Sequence, residues 1–173
     1  MNRWIPIAIA LCAVMVTTAV AEAQISTGIT VNYTVPRGDF ADSSDPGFGA
    51  AGEVCVGLPL LPIRIGGHIG FNTFKENDGS TSGDTTVLEV MPCIKYQIGL
   101  PMEIVAFWGQ FGMGVFNWKN DVSDGTDMGL SFAVGASAKV TPLMSVMIMP
   151  TYNIIMAEDD NITYGTVNVG LRF

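Results

Sequence analysis

The chain closes on ITYGTVNVGLRF (162–173), in which Val167, Val169, Leu171 and Phe173 alternate with Thr166, Asn168, Gly170 and Arg172. A period of two places the first set on one face of a strand and the second on the other. This strand runs to the final residue and ends on its bulkiest apolar side chain, with no polar tail to solvate it. Such an ending asks what surrounds the strand before it asks what the protein does.

The same alternation recurs upstream. Period-two segments predict eight strands over 24–35, 49–58, 63–74, 86–98, 103–118, 128–140, 145–156 and 162–173. GLPLLPIRI (57–65), GLPMEIV (99–105) and VTPLMSVMI (140–148) each set a proline turn before an apolar alternating run, and Pro59, Pro101 and Pro142 stand 42 and 41 residues apart. That interval fits one strand out, a loop, one strand back and a tight turn. Between the turns lie PRGDFADSSDPGFG, KENDGSTSGD, KNDVSDGTDMG and AEDDN, polar segments that read as loops. Pro92 and Pro150 fall inside strands, where they cannot donate to the ladder, so a bulge or weakened pairing is expected at each.

At the other end, MNRWIPIAIALCAVMVTTAVAEAQ (1–24) combines a basic Arg3, an apolar run from Ile5 to Val20 and the small residues Ala21 and Ala23. Residues 1–23 read as a cleavable signal peptide, the run being short for a membrane anchor and ending in Glu22. Residues 24–173 suffice for one domain. Removing Arg3 and Glu22 from eight basic and sixteen acidic residues leaves seven against fifteen, which argues against nucleic acid as a partner. Two cysteines remain, Cys55 and Cys93, too few for a disulfide scaffold.

Alternation does not say which face is inside; composition does. The exterior of a soluble barrel is about a quarter to a third charged. Here the non-apolar face carries only Glu53, Arg64, Glu89, Lys95, Lys139 and Arg172, with His68, among many Gly, Ala, Ser and Thr. Small residues with a few paired charges suit the cramped interior of an eight-stranded barrel whose apolar face meets lipid. Twelve of the fifteen remaining acidic residues lie in the four longer loops, and the three opposite turns are short and apolar. The expectation is an all-β, eight-stranded antiparallel up-and-down transmembrane barrel.

The terminal TVNVGLRF resembles the C-terminal signature by which bacterial outer-membrane proteins are read by their assembly machinery. FGMGVFNWK and VGASAKVTPLMSVMIMPTYN resemble strands of the small OmpA/OmpX-like barrels. The resemblance spans residues 24–173 and implies a bacterial outer-membrane location, with Val167, Val169, Leu171 and Phe173 as the assembly signature. Outer-membrane lipid, lipopolysaccharide and the barrel assembly machinery are the implied partners, and a monomer is expected.

Function is less legible. Inward parity groups Glu53, His68 and Glu89 near mid-height and Arg64, Lys95, Lys139 and Arg172 near the turn end. The plain reading is a salt-bridge network filling the lumen, since unpaired buried charge is expensive. A narrow pore is the first alternative. A conduit for a small hydrophobic ligand is the next, because Met91, Trp108, Met147 and Met149 also point inward by parity. An adhesin acting through Arg37, Gly38 and Asp39 of the first loop is the last. No catalytic residues, cofactor or metal are expected: His68 sits mid-strand without a nearby serine, and Cys55, His68 and Cys93 read as separate lumen residues. A disulfide between Cys55 and Cys93 is disfavoured, because the intervening strand separates them by about 9–10 Å, beyond the roughly 4.4–6.8 Å between Cα atoms that a disulfide spans.

Overall fold

Eight strands and one helical turn account for the residues that the computed structural model describes, 25–77, 83–99, 104–157 and 161–173. They are β1 (Ile25–Arg37), α1 (Phe40–Ser43), β2 (Ser44–Gly57), β3 (Ile63–Glu76), β4 (Thr85–Gly99), β5 (Val105–Lys119), β6 (Asp124–Thr141), β7 (Met144–Ile155) and β8 (Ile162–Arg172). Each strand pairs antiparallel with the next, and β8 returns to β1 in a register from Gly28 opposite Arg172 to Arg37 opposite Thr163. The result is a closed up-and-down barrel, as the alternation predicts. Phe173 extends the closure, its N–H donating to Thr27 O at 2.8 Å and its carbonyl accepting from Thr27 N–H at 3.1 Å. The expected signal peptide and the Pro101 turn lie outside the described residues.

The barrel is inside out relative to a soluble one. Along β1 the exposed positions are Ile25, Thr27, Ile29, Val31 and Tyr33, while Ser26, Thr30, Asn32 and Thr34 are buried. Val31 is 69% exposed and Asn32 only 3%. The other strands repeat this, with Ile69, Phe71, Val90, Ile94, Phe111, Met113, Val134, Ile148, Val167 and Val169 all outward. Each such side chain is worth roughly 1.5–3 kcal/mol on leaving water, so the outer face disfavours an aqueous surround by tens of kcal/mol. Outward aromatics sit toward both rims: Tyr33, Phe48, Phe71 and Tyr152 at the loop end, Tyr96, Phe107 and Phe173 at the turn end. Aromatic girdles at both interfaces are the mark of a barrel spanning a bilayer.

Strand ends depart from expectation on the loop side. β2 begins at Ser44 and β6 at Asp124, so much of DSSDPGFG and SDGTDMG is ladder rather than loop. Glycine permits this: Gly47 lies against the backbone of Thr73 and Gly125 lies 2.7 Å under the Trp118 ring, measured from where its Cβ would stand. At the prolines the outcome is weakened pairing without a bulge. Pro92 pairs with Gly67 on one side, but the β4–β5 ladder lapses between Val90–Val115 and Cys93–Gly112 with its register unchanged. The β6–β7 ladder lapses likewise between Ala133–Thr151 and Ala136–Ile148, opposite Pro150. The register shifts fall elsewhere, at Asp45/Phe48 against β3 and at Lys139/Thr141 against β7.

Candidate functional site in the barrel lumen

Inward residues from all eight strands stack into levels along the barrel axis. At the loop end Phe74, Val87, Met91, Phe116, Ile155 and Tyr164 form a buried apolar plug, with Phe40, Trp118 and Ile162 packed against it. The Phe74 ring meets Tyr164 edge-on at 5.2 Å and Phe40 at 5.0 Å, geometries that aromatic pairs favour. Parity turned Met91 inward; what alternation could not show is which side chains of the other strands it meets there.

Next to the plug, Glu89 on β4 is held from two strands, β3 and β8. Its Oε2 accepts from the Tyr164 hydroxyl at 3.1 Å, while Oε1 lies 3.2 Å from His68 Nε2 and 3.5 Å from Asn72 Nδ2. Asn32 donates to Asn72 Oδ1 at 3.3 Å and accepts from Thr30, carrying the network onto β1. Gly70 makes room, because a Cβ there would overlap the Glu89 carboxylate.

One level further, Lys95 reaches across β3 to Glu53, donating to both carboxylate oxygens at 2.7 and 2.9 Å. Lys95 is 1% exposed. Its ammonium stands 5.0 Å from the centroid of the Trp108 ring, and the Arg172 guanidinium stands 5.6 Å from the same ring. One indole thus serves two cations, a role that counting Trp108 among the apolar lining of a ligand conduit overlooked.

The turn end opens into a vestibule of about 530 Å³, lined in part by Ser26, Arg64, Gln97, Lys139 and Arg172. Arg172 donates to Gln97 Oε1 at 2.9 Å, and Arg64 to Ser26 Oγ at 2.9 Å. Lys139 departs from expectation. It is exposed on the vestibule rim rather than set in the lumen, because it stands at the open turn-end mouth of the barrel, still in regular register opposite Ser145.

Cys55 and Cys93 are free and buried. Both stand in register with Gly66, one on either side of it. His68, by contrast, is engaged with Glu89. Outside, Arg37, Gly38 and Asp39 are exposed at the first loop, where Gly38 adopts φ +58° and its carbonyl accepts from Ala41 N–H. The assembly-signature residues Val167, Val169 and Phe173 face outward and Leu171 is half-buried, while Arg172 turns in.

A closed barrel with an apolar exterior, two aromatic girdles and a polar, charged interior is a transmembrane β-barrel. The chain belongs to the family described as outer membrane protein beta-barrel domain, which matches residues 7–173. Solved structures share the fold. Neisserial surface protein A aligns with a TM-score of 0.65 at 15% identity, over 87% of this chain and 97% of its own. The N-terminal β-barrel domain of Pseudomonas aeruginosa OprF gives 0.51 at 13% identity, over 88% and 100%. The Yersinia pestis outer membrane protein Ail, in a phospholipid bilayer nanodisc, gives 0.51 at 16%, over 87% and 100%. Among curated proteins, none matches the sequence. At these identities the likeness is one of fold.

Proposed function

We propose that the protein is exported by its N-terminal segment, inserted by the assembly machinery that reads its last strand, and stands in the bacterial outer membrane as a monomeric, non-conducting barrel. Its role is structural or at the cell surface, without catalysis. The filled lumen carries this reading: the plug around Phe74, Phe116 and Tyr164 covers the loop end, and the Glu53–Lys95 pair with Trp108 occupies the middle. An eight-stranded barrel has room for little beyond its own side chains. Lipid and lipopolysaccharide are then the partners of the outer face, where large apolar side chains are exposed along every strand.

Planar-bilayer recording of the refolded protein tests the reading. Silence at voltages where a porin control conducts is the expected result. Steady conductance that disappears when Lys95 and Arg172 are neutralised would replace it with a narrow anion-selective pore.

A further inference from the structure

The lumen concentrates sulfur at one height. Across the ladder Ser26, Cys55, Gly66, Cys93 and Gly112 stand in one row. The two glycines leave gaps that sulfur fills: a Cβ on Gly66 would lie 2.8 Å from Cys55 Sγ, and one on Gly112 would lie 2.6 Å from Met91 Sδ. The row thus holds two buried thiols, one on either side of Gly66, and a thioether set against Gly112. We propose that Cys55 and Cys93, with Met91 alongside, form a binding site for a soft monovalent cation, Cu(I) or Ag(I).

Geometry separates this from a disulfide. A whole strand intervenes, so the two backbones stand about 9–10 Å apart at ordinary strand spacing, and an S–S bond of about 2.05 Å would have to drag them together. Two metal–sulfur bonds of about 2.3 Å each instead bridge about 4.6 Å, a span suited to two buried thiols that flank Gly66 in one row. Binding replaces both S–H protons with the metal, so one M⁺ and two thiols give an S–M–S unit of net charge −1 and two protons released to solvent.

The donor set also selects. Thiolate and thioether are soft ligands suited to Cu(I), whereas structural zinc asks for four ligands. Among the described residues no group of three or more His, Cys, Asp or Glu is placed to hold a metal, and His68 is engaged with Glu89. Access runs from the turn end: Ser26 lines the vestibule and is the direct register partner of Cys55.

The test is an anaerobic titration of the refolded, reduced barrel with Cu(I) against a chromophoric Cu(I) chelator, with Zn(II) as the contrasting ion. One Cu(I) per barrel withheld from the chelator, and no comparable hold on Zn(II), is the expected result. Cys55→Ser and Cys93→Ser should each weaken binding by about tenfold or more, since even groups behind a ligand act on that scale, and Met91→Leu should weaken it less. Unchanged heat-modifiable mobility checks that each variant folds. A wild-type barrel that withholds no Cu(I) overturns the proposal without reference to any variant, as does a double serine variant that binds like wild type.

Discussion

Replacing Lys95 with methionine keeps the reach of the side chain and removes its charge, leaving Glu53 ionised inside the barrel. The pair is well sheltered, with the lysine side chain 1% and the glutamate 5% exposed, and both carboxylate oxygens are engaged at 2.7 and 2.9 Å. Breaking a buried pair by removing one partner costs about 3–5 kcal/mol, mostly because the other charge is stranded. On that scale Lys95→Met should lose about 3–5 kcal/mol. In Lys95→Met with Glu53→Gln no charge is stranded, and since exchanging a whole buried pair for uncharged groups is often near neutral, its loss should be about 1 kcal/mol or less. Urea unfolding of the refolded barrel in phospholipid vesicles, followed by tryptophan fluorescence and gel mobility, measures all three. A single variant within about 1 kcal/mol of wild type, or losses that simply add in the double variant, would refute the coupling.

Gly70→Val should lower stability by roughly 2–4 kcal/mol by pushing the Glu89 carboxylate away from His68 and Tyr164; an unchanged urea midpoint would contradict the packing at that level. Phe74→Ala removes a ring with no exposed surface from the loop-end plug and should cost about 3–5 kcal/mol. The same vesicle assay reads it, and a loss under about 1 kcal/mol would mean that the plug is loosely packed.

The fold was legible because the period-two signal survives in every strand and because the non-apolar face is too poor in charge for water. Two features hid part of the rest. Asp45, Pro46 and Gly47 look like loop, yet Gly47 lets β2 approach Thr73 and the strand continues to Ser44. Parity turned Lys139 inward, but alternation carries no measure of height, and at the turn-end mouth the lumen opens to solvent. The inward residues themselves were readable one strand at a time, whereas their partners depend on how strands align around the barrel. Lys95 and Glu53 are two strands apart, as are Cys55 and Cys93, and Tyr164 reaches Glu89 across the lumen from β8. Nothing in one strand's alternation encodes those heights.

Phe173 carries the closure of β8 on β1 through its two hydrogen bonds to Thr27, and it presents its ring to the exterior. Outer-membrane fractions from cells expressing the full chain, and from cells expressing a chain ending at Arg172, can be run on gels with and without boiling. The full chain should appear in the membrane fraction as a compact, fast-migrating band that slows on boiling, and the shortened chain should be depleted from that fraction. Full-length protein found in the soluble periplasm, or migrating identically before and after boiling, would contradict a membrane barrel.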